Sequence, residues 1–119
     1  MNPERSPRSI RHLPDRRLTE PELREFREGG SGSHWLVETT DGSLQTQAVA
    51  LVRCFSFPDF HHTMAFANAV AWIAHEADHH PDLTVGYNRC QVRWSTHSAG
   101  GLTPKDLACA AQVDALQCP

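Results

Sequence analysis

The stretch that decides the fold is HEADHHPDLTVGYNRCQVRWSTHSAGGLTPKD, from His75 to Asp106. It holds four of the eight histidines in a chain of 119 residues. His79 and His80 come where an amphipathic helical pattern meets Pro81, which cannot continue a helix and pushes its predecessor out of the α region. We therefore expect both histidines at the C-terminus of a helix, where an imidazole can exchange protons near neutral pH.

The sequence before this stretch predicts the principal helix and a hairpin. Apolar residues recur every three or four positions between about Asp59 and Asp78, which is typical of an amphipathic helix. Alternating residues predict strands over 34–39 and over about 44–57, joined by a tight turn at Asp41-Gly42. The second strand contains the continuous apolar run 48–52, so we expect cover on both faces there, with a dimer partner as one source of it.

The sequence after Pro81 predicts a second pair of strands and a last helix. Apolar residues alternate over 83–87 and again over 92–96, on either side of a turn at Asn88-Arg89. Thr103-Pro104-Lys105-Asp106 then has the form of a helix start, with threonine as N-cap, proline in the first turn and an acid reaching back. An alanine-rich helix is expected from there to about Leu116.

The N-terminal part repeats the same helix-start pattern. Thr19 and Glu22 form a predicted capping box that opens a short helix through about Arg27. We predict a mobile N-terminal extension with this helix over 1–30 and a single domain over 31–119. The order α-β-β-α-β-β-α predicts an α+β fold, with an antiparallel four-stranded sheet and helices packed on one face.

Composition excludes several classes of protein. The net charge of −3 gives no reason to expect nucleic-acid binding. No apolar run approaches the roughly 18 residues of a membrane span, so we expect no membrane association and a cytoplasmic location. The four cysteines are scattered without a CxxC pair, which favours reduced thiols over a disulfide or a structural zinc site.

The histidine-rich stretch resembles a known family. The run His79-His80-Pro81, then Tyr87, Thr96-His97, the turn 100–102 and Asp106, is similar to the characteristic pattern of the pterin-4a-carbinolamine dehydratases. The likeness extends over about residues 33–116. It implies a hydro-lyase that dehydrates 4a-hydroxytetrahydropterin to quinonoid dihydropterin in tetrahydrobiopterin recycling, with neither a metal nor another cofactor.

The resemblance also implies roles for particular residues. Asp106 is expected to hydrogen-bond an imidazole and fix its tautomer. His79 and His80 both qualify as the principal acid/base, and the sequence leaves the choice between them open. The catalytic residues implied are His79, His80 and His97, and the substrate contacts implied are the same three with Pro81, Thr96 and Ser98.

One position departs from the family pattern. The residue four before His79 is usually acidic in relatives, and here it is His75 with Glu76 beside it. Two alternatives follow: Glu76 takes over the orienting role through its i, i+4 relation to His80, or the tuning of the catalytic histidine is altered. The resemblance further implies a homodimer or homotetramer, a pterin small-molecule substrate, and an aromatic amino acid hydroxylase as a partner in the same pathway.

Two other functions stay open at this point. Residues 75–79 read HExxH, in which His75 and His79 on one helical face would bind zinc with Glu76 as general base, as in a zinc hydrolase. The third possibility is a non-catalytic dimerisation or assembly module of the same fold, because domains of this family have been recruited to such roles.

Overall fold

The structure, a computed structural model, describes residues 6–40 and 47–116. The strands form one antiparallel sheet in the order β1-β2-β4-β3. The predicted α+β fold is therefore confirmed. The helices are α1 (Pro7–Ile10), α2 (Glu20–Glu28), α3 (Phe60–Ala77) and α4 (Pro104–Ala115), and the strands are β1 (Leu36–Thr39), β2 (Ala48–Ser56), β3 (Asp82–Val85) and β4 (Arg89–Trp94).

The core lies between the helices and one face of the sheet. Leu51 of β2 pairs with Trp94 of β4, and both side chains are fully buried under α3 and α4. These helices contribute Val70 and Val113, which are also fully buried. The period of two along each strand directs these residues to the covered face, as the alternating pattern predicts.

The other face of the sheet is polar at its centre. Arg93 Nε lies 2.8 Å from Glu38 Oε1, and Arg93 Nη1 lies 3.4 Å from Asp82 Oδ2. Ala50, the register partner of Glu38, is fully buried on this side, and Leu51 is fully buried on the other. The centre of the apolar run 48–52 is thus covered on both faces, as expected, and the cover at Ala50 and Leu51 comes from this chain itself.

The principal helix α3 begins and ends at identifiable signals. The Asp59 carboxylate caps its start, where Oδ1 accepts from the His62 N–H at 2.8 Å. Beyond Ala77, Asp78 takes the left-handed conformation with φ 51°, and the His79 N–H donates to the Ala74 carbonyl at 3.1 Å. These features form a Schellman motif, a common way to stop a helix. His79 and His80 therefore lie just past the regular helix and not on it.

The N-terminal part forms an element that the sequence did not predict. The four-residue helix α1 buries Ile10 in the core to 1% exposure. Helix α2 begins as predicted, with the Thr19 N–H donating to Glu22 Oε1 at 2.8 Å. The mobility that we expected over 1–30 stays a prediction, although this part contributes to the core.

Three further expectations concern the rest of the chain. The hairpin turn predicted at Asp41-Gly42 lies outside the described residues. Cys54, Cys90 and Cys109, the cysteines within the described ranges, are free thiols. In those ranges, none of the helices is both long and apolar enough to cross a bilayer.

Candidate active site

Asp106 is the centre of the candidate site. It lies in the first turn of α4 and is fully buried. Its Oδ2 accepts from the Thr103 N–H at 3.0 Å and from the Thr96 hydroxyl at 2.6 Å. Its Oδ1 lies 2.6 Å from His79 Nε2. The carboxylate therefore joins the end of α3, the end of β4 and the start of α4, which brings the predicted residues His79, Thr96 and Asp106 together.

His79 is held on two sides. Its side chain is only 12% exposed, and its ring stacks on Trp94 with centroids 5.6 Å apart and planes at 16°. When the Asp106 carboxylate is ionised it can only accept hydrogen bonds, and Nε2 of His79 is then the nitrogen that carries the hydrogen. The remaining Nδ1 is then the nitrogen free to accept in the neutral ring. The orienting role predicted for Asp106 has a matching geometry at this contact.

His80 and His97 are both exposed. His80 follows the half-buried His79, and Pro81 keeps the segment extended. His97 follows the buried Thr96 and opens a short 3-10 turn, which ends at Gly100 with φ 74°. The three candidate histidines therefore comprise one imidazole held by Asp106 and two exposed imidazoles.

A shallow cavity of about 290 Å³ lies beside His97. The glycine turn that closes it is tightly packed, because a Cβ on Gly101 would come within 2.3 Å of Gln47 Nε2. Thr96 and His97 are the predicted site residues at this cavity. Its lining residues are Val49, Arg93, Ser95, Thr96, His97, Gly100 and Gly101.

Two predicted residues have partners that the sequence did not suggest. The Glu76 carboxylate lies 3.3 Å from Arg8 Nε, where we had expected it to act on His80. The Thr96 hydroxyl points inward to Asp106 and lies 2.9 Å from the Thr103 hydroxyl. Its geometry suits support of Asp106 better than contact with substrate. Pro81 is half-buried and Ser98 is exposed, and their substrate contacts stay predictions.

The HExxH interpretation requires His75 and His79 on one regular helical face, and the structure contradicts this. Asp78 turns the chain out of the helix between them. His75 stacks on Trp72 with ring centroids 5.8 Å apart, whereas His79 Nε2 faces Asp106. In the described ranges, no group of three or more His, Cys, Asp or Glu side chains is placed to hold a metal ion.

Asp106 also affects a thiol one turn further along α4. Burial raises the pKa of Cys109 to about 12, and the negative charge of Asp106 adds to this shift while Lys105 opposes it. A thiol with such a pKa is protonated at neutral pH and is a poor nucleophile. Cys109 therefore contributes packing at this site.

Comparison with known proteins identifies the family. Residues 16–116 match the family model described as pterin 4 alpha carbinolamine dehydratase. The chain belongs to this family. Among its curated relatives, "Putative pterin-4-alpha-carbinolamine dehydratase" of Nitrosospira multiformis is 61% identical over 62 residues, covering 52% of this chain and 55% of that protein. The protein of the same name in Stenotrophomonas maltophilia is 60% identical over 67 residues, covering 56% and 58%. The chain thus spans a little over half the length of these relatives.

Solved structures show the same fold in the family. A Brucella melitensis protein described as a transcriptional coactivator/pterin dehydratase is 34% identical, with a TM-score of 0.69 over 84% of this chain and 97% of that one. A pterin dehydratase-like protein described as a RuBisCO assembly factor in the alpha-carboxysome is 25% identical, with a TM-score of 0.55 over 69% and 87%. The predicted family and fold are confirmed.

Proposed function

We propose that this protein is a hydro-lyase that dehydrates 4a-hydroxytetrahydropterin to quinonoid dihydropterin by histidine acid/base catalysis. The observation that supports this most is the buried Asp106 carboxylate, which lies 2.6 Å from both His79 Nε2 and the Thr96 hydroxyl. Each of these two residues is followed in the chain by an exposed histidine, His80 and His97. A site of this kind holds one ring in place and leaves two rings accessible for proton transfer. The reaction belongs to tetrahydrobiopterin recycling.

The chemistry asks for one proton donor and one proton acceptor. The substrate is a carbinolamine, whose ring nitrogen lone pair forms a double bond to the carbon as the hydroxyl departs. A proton delivered to that hydroxyl lets it leave as water, and a base then accepts the proton that the ring releases. Histidine suits both steps, and such groups contribute roughly 10² to 10⁴ each to the rate.

The geometry favours His80 over His79 as the principal acid/base. Nε2 of His79 is already committed to Asp106, and the ring is largely buried against Trp94. His80 has no such commitment to the carboxylate and is exposed. We assign His79 to holding the pterin edge, and His80 with His97 to proton transfer.

The test is a dehydration assay on freshly generated 4a-hydroxytetrahydropterin. His80→Ala and His97→Ala should each lower kcat by about 10² to 10⁴. Their thermal unfolding should stay close to that of the wild type, because both side chains are exposed. His61→Ala, which removes an exposed histidine at the start of α3, is the matched control and should keep full activity.

Two results would contradict the proposal at different levels. Full activity in His80→Ala would overturn the assignment of roles. A wild-type rate no faster than buffer would overturn the function itself. The second result would favour a non-catalytic assembly module, for which the exposed Phe60 and Trp72 on α3 would supply apolar contact area.

Other properties of the protein stay predictions, from composition for the location and from the family resemblance for the rest. They are a homodimer or homotetramer, a cytoplasmic location and an aromatic amino acid hydroxylase as pathway partner. Light scattering coupled to gel filtration measures the first of these directly.

A further inference from the structure

Residues 7–18 contact both helices that carry the candidate site, although none of them is a predicted site residue. Most of this segment lies upstream of the family match, which begins at residue 16. Ile10 anchors it in the core, where α1 packs against α3 and α4. The segment thus packs against α3, whose end precedes His79, and against α4, whose first turn holds Asp106.

The first contact is made at the end of α3. Arg11 Nε donates to the Glu76 carbonyl at 3.0 Å, and Arg11 Nη2 donates to the His75 carbonyl at 3.4 Å. Carbonyls in the last turn of a helix lack intrahelical donors, and a cation there is also favoured by the helix dipole. His79 and His80 follow this turn within a few residues. A contact that fixes the last turn of α3 therefore also restricts the positions of the two histidines.

The second contact is made around the turn that follows His97. Arg17 Nε donates to the Ala99 carbonyl at 3.2 Å, and the Leu18 N–H donates to the Leu102 carbonyl at 2.8 Å. Asp15 Oδ1 lies 2.9 Å from Nζ of Lys105, the residue before Asp106, and the Lys105 side chain is only 14% exposed. One short segment therefore fixes the His97 turn and the start of α4 together.

We propose that residues 7–18 form a brace that sets the separation between the end of α3 and the His97 turn. In it, Arg11 is a positioning residue for His79 and His80, and Arg17 is a positioning residue for His97. The expected loss of kcat rests on the proposed function, whereas the expected displacement of the imidazoles does not. Misplacement of reacting groups by about 1 Å can cost roughly 10²-fold in rate. We expect a loss of about tenfold in kcat from either Arg→Ala substitution, with little change in KM.

The experiment compares three neighbouring arginines in the full chain. Arg11→Ala and Arg17→Ala remove the two positioning contacts. Arg16→Ala is the matched control inside the same segment. Its guanidinium pairs with Glu22 of α2 at 2.8 Å and donates to the Arg17 carbonyl at 3.2 Å, whereas Arg11 and Arg17 donate to carbonyls of α3 and of the His97 turn. All three arginines are exposed, so none of these changes opens a cavity in the core.

Two measurements are made on each variant: the imidazole NMR signals, and kcat with KM in the dehydration assay. The imidazole carbon–proton NMR signals of His79, His80 and His97, assigned with single histidine variants, report placement without any turnover. Arg11→Ala should shift the signals of His79 and His80, Arg17→Ala should shift that of His97, and Arg16→Ala should shift none of them. Arg11→Lys keeps the charge but loses the planar fork, and it should restore part of the kcat.

The outcomes separate the brace from the proposed function. Imidazole signals in Arg11→Ala and Arg17→Ala that match those in Arg16→Ala would overturn the brace. Shifted signals with an unchanged kcat would overturn the positioning roles. A wild-type protein without dehydratase activity would defeat the proposed function, and the NMR comparison would still decide whether the brace exists.

Discussion

Helices α2 and α4 begin with the same sequence pattern but put it to different uses. Each starts with a threonine N-cap, a proline in the first turn and an acid three residues after the threonine. In each, the acid accepts a hydrogen bond from the backbone N–H of the threonine, at 2.8 Å for Glu22 and 3.0 Å for Asp106. The local chemistry of the two helix starts is thus alike.

The two carboxylates differ in what else they contact. Glu22 is at the surface and pairs with Arg16, with both oxygens within 3.0 Å of the guanidinium nitrogens. Asp106 is fully buried and meets Thr96 and His79. A capping acid therefore becomes part of a candidate active site only where tertiary packing brings an imidazole to its free oxygen.

The largest difference should come from removing the carboxylates. Asp106→Ala deprives His79, Thr96 and the Thr103 N–H of a shared acceptor in the interior, so it should lower the free energy of unfolding by about 3 to 5 kcal/mol. Glu22→Ala should cost only about 1 kcal/mol, because water replaces the lost acceptor. Urea unfolding measures both.

Asp106→Asn serves as the milder variant if the alanine chain does not fold. It keeps the shape and an oxygen acceptor, so it should unfold cooperatively at a urea concentration between those of the wild type and Asp106→Ala. Equal costs for Asp106→Ala and Glu22→Ala would show that burial adds nothing to the α4 cap.

The next effect should come from the hydroxyl that supports Asp106. Thr96→Val keeps the shape of the side chain but removes a donor to the buried carboxylate, and it should cost about 1 to 3 kcal/mol. Thr96→Ser, which retains the hydroxyl, should cost less. Thermal unfolding of the two variants tests this directly, and wild-type stability in Thr96→Val would mean that the contact is not needed.

The smallest effect should be the pH dependence of the stability that Glu22 adds at the start of α2. Hydrogen bonds from Arg16 and then from the Thr19 N–H lower the pKa of Glu22 from 4.5 to about 2. A group with a depressed folded pKa adds stability above its unfolded pKa and loses that stability as pH falls through the folded value. The stability advantage of the wild type over Glu22→Gln should therefore shrink between about pH 5 and pH 2.

Exposure limits the size of this acid response. Because Glu22 is near the surface, the advantage should stay within about 1 kcal/mol and should decrease in high salt. Unfolding measured at several pH values and two salt concentrations checks both expectations. An advantage that does not change with pH would contradict the role of the Arg16 pair.

Local patterns predicted most of the fold. The start of α4 and the course of α3 follow from capping residues and apolar spacing, which act within a few residues of chain. Helix α1 was not predicted because its four residues are too few for a periodic pattern and only Ile10 among them is a core residue. Its stability comes from contacts with α3 and α4 that have no local signal.

The family resemblance implied the members of the candidate site and a contact between Asp106 and an imidazole, but the sequence did not specify which imidazole. The meeting of His79 with Asp106 spans 27 positions of chain, and that of Arg8 with Glu76 spans 68. No spacing rule specifies such contacts. The left-handed Asp78, which directs His79 inward and leaves His80 outside, also occupies a position where glycine is the usual residue. The sequence therefore left the choice between His79 and His80 open.

Asp106 both caps α4 and contacts His79, and this affects how related sequences should be interpreted. A lineage that abandoned catalysis would still need this acid to begin α4, so its retention is a weak marker of activity. In the described structure, His80 and His97 cap no helix and contact no buried partner. Once catalysis was no longer selected, no structural role would oppose substitution of either residue. If His80 and His97 transfer protons as proposed, their retention among homologues is the better marker of a working enzyme.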